Sequence, residues 1–188
     1  MKIKFLQLLK KCQFRSSIYF MKRQFLTTII GLIYFLTASA QQIRGTFAIK
    51  NVETGIVLRI KDANTKNGTP VVAYSPVNWK CVTRSFKQVE GQTYTLTNLF
   101  SGKTLQPQST ETNAGVILEE QPFNAGAKNQ LYEFIPVEKN QYLIRLKNTE
   151  LYITPSDDKG NVNANIILAK KNNTRLQHWT LQEQKPTI

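Results

Sequence analysis

FAIKNVETGIVLRI (residues 47–60), YTLTNLFSGKTLQP (94–107) and YLIRLKNTELYITP (142–155) are three versions of one pattern. Each opens on an aromatic residue. The apolar positions then align without gaps: Phe47, Ile49 and Leu58; Tyr94, Leu96 and Leu105; Tyr142, Ile144 and Ile153. Alternation with a period of two on both sides of a polar turn predicts half-buried β-hairpins. Gly55 and Gly102 stand in the first two turns, where glycine reaches a positive φ at no steric cost, whereas the third turn has Glu150.

A second block recurs downstream of each hairpin. It runs Asn67-Gly68-Thr69-Pro70-Val71-Val72, then Asn113-Ala114-Gly115-Val116-Ile117-Leu118, then Asn163-Ala164-Asn165-Ile166-Ile167-Leu168. Each unit closes on an aromatic residue, read as Phe86, Tyr132 and Trp179. No segment after residue 40 keeps a 3.6-residue apolar period. Three units of about 47 residues, each with four short strands, nearly fill residues 41–188. Propellers need at least four such units. The expected fold is therefore all-β, a β-trefoil of three four-stranded units with pseudo-threefold symmetry. Closing the sheet would also hide strand edges that invite aggregation.

The 188-residue chain is 41% apolar and 20% charged, a globular balance that excludes a disordered or multi-pass membrane chain. Its formal charge of +13 is uneven. Residues 1–40 hold seven basic residues and no acid, so residues 41–188 carry 18 basic against 12 acidic residues, or +6. That charge is too diffuse to argue a nucleic-acid partner. Met21, Lys22 and Arg23 open a basic segment, an uncharged run follows from Phe25 to Leu36, and Ala38-Ser39-Ala40 ends it. These are the parts of a secretory signal cleaved after Ala40, with residues 1–20 as a basic lead-in or an early start before Met21. The apolar run is shorter than the roughly 20 residues of a membrane span, although an uncleaved anchor is the alternative. The expected product is residues 41–188, secreted or periplasmic, with no integral membrane segment. Cys12 lies in the discarded part, which leaves Cys81 without an intrachain partner and expected as a small buried apolar residue.

Gln177-His178-Trp179 matches the Gln-x-Trp that ends the units of ricin B-type lectins; Gln130-Leu131-Tyr132 keeps the glutamine and an aromatic, and Arg84-Ser85-Phe86 keeps an aromatic. With the Asn-Gly-Thr at Asn67, the chain resembles a ricin B-type β-trefoil over about residues 44–183. The resemblance implies non-catalytic carbohydrate binding. It implies that the motif glutamine and aromatic are structural. Sugar contacts come from an acid after the hairpin leucine, an aromatic platform after the second apolar block, and an asparagine before the motif glutamine. Those places read Arg59, Gln106 and Thr154 for the acid; Tyr74, Glu120 and Lys170 for the platform; and Thr83, Asn129 and Leu176 for the asparagine. A sugar offers hydroxyls for directed hydrogen bonds and a C–H face for an aromatic ring. The first unit is the leading candidate, with Tyr74 as platform, Asp62 as hydroxyl acceptor, and Asn78 and Trp79 on the rim. The second offers Asn129, Phe123 as a substitute platform, and Glu120 or Gln106 as acceptors. The third has Asp157 and Asp158 but no platform.

Catalytic chemistry is poorly provided for. His178 is the single histidine, it has no spaced nucleophile, and no His/Cys cluster suits zinc. No catalytic residues, metal or cofactor are expected. The expected partner is a glycan or polysaccharide. The alternatives are a degenerate trefoil that binds protein, or an anionic-polysaccharide binder using residues such as Lys170, Lys171 and Arg175. Oligomeric state is left open.

Overall fold

A computed structural model describes residues 42–188, so the expected signal segment of residues 1–40 lies outside the described residues. The three repeats become twelve strands. Unit 1 holds β1 (Gly45–Asn51), β2 (Val57–Ile60), β3 (Thr69–Tyr74) and β4 (Thr83–Glu90). Unit 2 holds β5 (Thr93–Asn98), β6 (Thr104–Pro107), β7 (Leu118–Gln121) and β8 (Tyr132–Glu138). Unit 3 holds β9 (Gln141–Leu146), β10 (Leu151–Pro155), β11 (Ile166–Lys170) and β12 (His178–Glu183). Short 3₁₀ turns at Lys80–Val82, Lys128–Gln130 and Arg175–Gln177 lead into the last strand of each unit. Among the described residues, no helix is long and apolar enough to cross a membrane.

Six strands close a barrel. β1 pairs with β4, β4 with β5, β5 with β8, β8 with β9, β9 with β12, and β12 returns to β1, all antiparallel. The remaining strands form three hairpins, β2–β3, β6–β7 and β10–β11. Two cyclic sets of backbone bonds fix the symmetry. Gly68 N–H donates to Glu120, Gly115 to Leu168 and Asn163 to Ala73, at 2.7–2.9 Å. Each donor sits at positive φ and reaches into the next unit. Val52 N–H donates to His178, Leu99 to Thr83 and Lys147 to Leu131, each at 2.9 Å. Such rings of equivalent bonds define a pseudo-threefold axis, and the fold is a β-trefoil.

The alternating residues of the repeats meet in one core. It contains Ile49, Leu58, Leu96, Leu105, Ile144 and Ile153, as their periodicity predicts. Phe86, Tyr94 and Phe134 pack edge to face in it, with centroids 5.2–6.0 Å apart. A smaller core lies under the loop between β3 and β4. Val57, Ile60, Cys81 and Val82 are buried there, with Tyr74 and Val77 packed against them. Cys81 is thus the buried apolar residue expected of it, and its thiol is free.

The same bonds correct the unit boundaries. His178, Thr83 and Leu131 accept equivalent bonds, so Trp179, Arg84 and Tyr132 are equivalent. Pairing agrees: Trp179 faces Asn51, Arg84 faces Asn98 and Tyr132 faces Leu146. The first unit therefore ends in Val82-Thr83-Arg84, not in Arg84-Ser85-Phe86. Phe86 corresponds instead to Phe134 and Leu181, through their partners Leu96, Ile144 and Ile49.

Candidate functional site

The hairpin β2–β3 sets the first unit's surface. Arg59 faces Val72 and Val57 faces Tyr74, so these four side chains share one face of the ribbon. Tyr74 stands at the end of β3, half-buried on the smaller core. The chain then turns over that core through Ser75 to Lys80. Trp79 remains 38% exposed, with its ring 6.3 Å from that of Tyr74 and tilted by 35°. Asn78 is exposed beside it. The Arg59 guanidinium lies 4.1 Å from the centroid of the Tyr74 ring. Tyr74, Asn78 and Trp79 are thus brought together on one surface, with Arg59 as an unforeseen fourth member.

Asp62 is placed elsewhere. It follows Ile60, whose partner Val71 lies three residues along β3 from Tyr74, roughly 10 Å at strand rise. Asp62 lines a separate cleft of about 260 Å³ with Lys61, Asn64, Lys66 and Asn67. Both Asp62 and Ala63 adopt left-handed φ values, 54° and 50°. Asparagine and aspartate accept this region more readily than alanine does.

In the second unit Phe123 is 50% exposed and Asn129 half-buried. Gln106 accepts a 2.9 Å bond from the Gln130 amide, which also donates to Pro122 and accepts from the Asn124 N–H. Gln130 and its counterpart Gln177 therefore tie down loops, as the resemblance implied; Gln177 donates to Lys170 and accepts from Asn172 N–H. The first unit has Val82 at this place. There Gln184, the residue after β12, supplies the tie, donating to Val77 and accepting from the Thr83 hydroxyl.

Glu120 does not fit the role of hydroxyl acceptor. It is completely buried and ion-paired with Arg84 at 2.6 Å, and Ser101 donates to its other oxygen at 3.0 Å. The platform positions are not Glu120 and Lys170 but lie one residue from each. Tyr74 faces Val57, Gln121 faces Thr104 and Ala169 faces Tyr152, so the equivalents of Tyr74 are Gln121 and Ala169. Likewise Cys81, not Thr83, is the equivalent of Asn129 and Leu176, since each precedes the last residue of its 3₁₀ turn. Asp157 stabilises its own loop by accepting from Lys159, Gly160 and Asn161 N–H groups.

Residues 77–169 match a family model described as ricin-type β-trefoil lectin domain-like. Over those residues the sequence is ricin-type β-trefoil lectin-like. Solved structures share its fold. A designed threefold-symmetric protein, ThreeFoil, superimposes with a TM-score of 0.71 at 19% identity, over 74% of this chain and 99% of that one. A ricin B-like lectin from Macrolepiota procera, solved in complex with lactose, gives 0.62 at 20% identity, over 76% and 99%. An exo-β-1,3-galactanase from Clostridium thermocellum gives 0.69 at 19% identity, over 74% of this chain but 30% of the enzyme. No curated protein matches the sequence. Within this trefoil, the first unit alone places an aromatic at the end of the third strand. The second alone keeps asparagine before its motif glutamine. The third has Thr154, Ala169 and Leu176 at the three places, which offer neither a ring nor a charged group.

Proposed function

We propose that this ricin-type domain is an exported, non-catalytic glycan-binding protein whose working surface is the Tyr74–Trp79 face of the first unit. The observation that carries the reading is an indole 38% exposed beside the one platform aromatic of the three units. An exposed ring exchanges poorly solvated surface for the C–H face of a sugar, and the amide of the exposed Asn78 can donate to or accept from hydroxyls. Phe123 and Asn129 form a second, weaker surface, with Gln106 held beside them by Gln130. Asp62 would take hydroxyls only in its own cleft. A single shallow site corresponds to a Kd on the order of 1 mM, about −4 kcal/mol. A polymer that engages two units would bind far more tightly.

A glycan array probed with the full chain tests this. Trp79→Ala is expected to remove most of the signal, and Phe123→Ala a smaller part. Unchanged binding in Trp79→Ala would take the first unit out of the reading. Export after cleavage at Ala40 predicts Gln41 as the first residue of the secreted protein, which N-terminal sequencing checks. One observation favours a second reading, an anionic polysaccharide held by Lys170, Lys171 and Arg175: all three are exposed. Binding of that kind weakens steeply with salt, whereas stacking on a neutral sugar does not.

A further inference from the structure

We infer that the first unit takes an acidic saccharide, a uronic acid whose carboxylate pairs with Arg59 while its ring packs on Trp79. This rests on the glycan-binding reading and narrows its ligand. Arg59 occupies the place where the resemblance implies an acid that accepts sugar hydroxyls. A guanidinium has five donors and no acceptor, so the polarity of the site is inverted.

Among the described residues, Arg59 is also the one arginine side chain with neither an ion pair nor a hydrogen bond. Arg84 pairs with Glu120, Arg145 with Glu133 and Glu150, Arg175 with Glu53, and Arg44 donates to Gln42. Arg59 has its cation–π contact with Tyr74, and its Nε is enclosed without a hydrogen-bond partner. The terminal Nη atoms have no hydrogen bond among the described residues and are not among the enclosed atoms, so they are open to solvent there. Stacking on the ring holds the planar fork in place. Less side-chain freedom is then lost when the fork grips a carboxylate with two parallel bonds.

The same geometry disfavours a neutral sugar on Tyr74. Arg59 covers a face of that ring, so a neutral pyranose there must displace the cation, and the stacking it gains is offset by the cation–π contact it breaks. Trp79 is the ring left open, and it lies against the same Tyr74 that carries Arg59. Lys80 follows Trp79 and forms no ion pair among the described residues, which adds positive potential to the rim. Asp62, the nearest acid in sequence, shares its cleft with Lys61 and Lys66.

The test titrates the full chain with trigalacturonate and with its methyl ester, in low salt, by calorimetry. The acid form is expected to bind at least tenfold more tightly. Arg59→Gln should abolish that difference by weakening binding of the acid form, and Arg59→Lys, which keeps charge but not the fork, should restore part of it. Trp79→Ala should weaken both. An undiminished preference in Arg59→Gln, or equal affinity for acid and ester, overturns the inference while glycan binding stands. Binding of neutral glycans but of neither probe does the same. Failure of the folded chain to bind any glycan, neutral or acidic, overturns the glycan reading itself. Arg59→Lys keeps the test decisive if Arg59→Gln folds poorly.

Discussion

Arg84 and Glu120 place two full charges at core positions that the other units fill without charge. Tyr132 and Trp179 stand where Arg84 does, and Ala73 and Leu168 where Glu120 does. Both side chains are fully enclosed, 2.6 Å apart. Arg84 adds a long 3.4 Å bond to Leu96, and its Nε has no partner. The Tyr132 hydroxyl is likewise unpartnered; burial raises its pKa well above the ordinary tyrosine range, the nearby Arg84 lowers it in part, and Glu120 raises it further. Desolvating two charges offsets most of their attraction, so the pair adds little net stability, but stranding one of them is costly. Arg84→Met or Glu120→Gln alone should therefore destabilise the domain by about 3–5 kcal/mol in urea unfolding. The double variant Arg84→Met/Glu120→Leu should be neutral or more stable by about 1–4 kcal/mol. Single variants no worse than a surface pair would refute the account. This pair also explains why the first unit's end was misplaced in the sequence. An apolar pattern passes over arginine and settles on the next aromatic, Phe86, two residues on.

Strands were legible because alternation repeats in all three hairpins, whereas the loops were not, because their repeated feature is conformational. Asn67, Asn113 and Asn163 look alike in composition. The positions that repeat are Gly68, Gly115 and Asn163, all at positive φ. The turn at Glu150 differs for a similar reason. Asn51 and Asn98 are buried and use their carbonyl oxygens to accept from the turn N–H groups of units 1 and 2. Leu146 stands at that place in unit 3 and accepts nothing through its side chain. There Thr149 caps the turn and the positive φ moves to Asn148. Loop ties give two predictions. Gln184→Ala removes the bonds to Val77 and Thr83, so it should cost about 1–3 kcal/mol and speed amide exchange at residues 77–83. The loop after Asp157 should respond to acid. Burial raises the Asp157 pKa, but hydrogen bonds from the Asn161, Gly160 and Lys159 backbone and the Asn161 side chain outweigh it, and the net shift is downward. A carboxylate depressed in the fold contributes stability above its unfolded pKa and loses it as pH falls through the folded value. The Gly160 amide resonance should therefore titrate with a midpoint below the ordinary aspartate value. A midpoint at or above that value would contradict the cap.

Across the whole molecule, no unit owns a complete barrel. β1 bonds to β4 within its unit and to β12 of the third, while β5 bonds to β8 and to β4 of the first. Buried aromatics from two units, Phe86, Tyr94 and Phe134, share one cluster with Tyr142 of the third packed against it. Each unit therefore exposes apolar surface and open strand edges if a neighbour leaves, and the three should unfold together. The two tryptophans make this measurable. Trp179 is fully buried in the third unit and donates to Ile153 at 2.9 Å, while Trp79 lies on the surface of the first. Trp79→Phe leaves Trp179 as the reporter, and Trp179→Phe leaves Trp79. In each variant, the fluorescence and far-UV circular dichroism transitions in urea should coincide, although Trp179→Phe shifts its midpoint lower through the lost core volume and hydrogen bond. Pairing strands so distant in sequence also implies slow folding, in milliseconds to seconds rather than microseconds. A Trp79 transition that precedes the loss of β signal would mean that the first unit opens alone. The domain would then behave as three stacked repeats rather than one closed barrel.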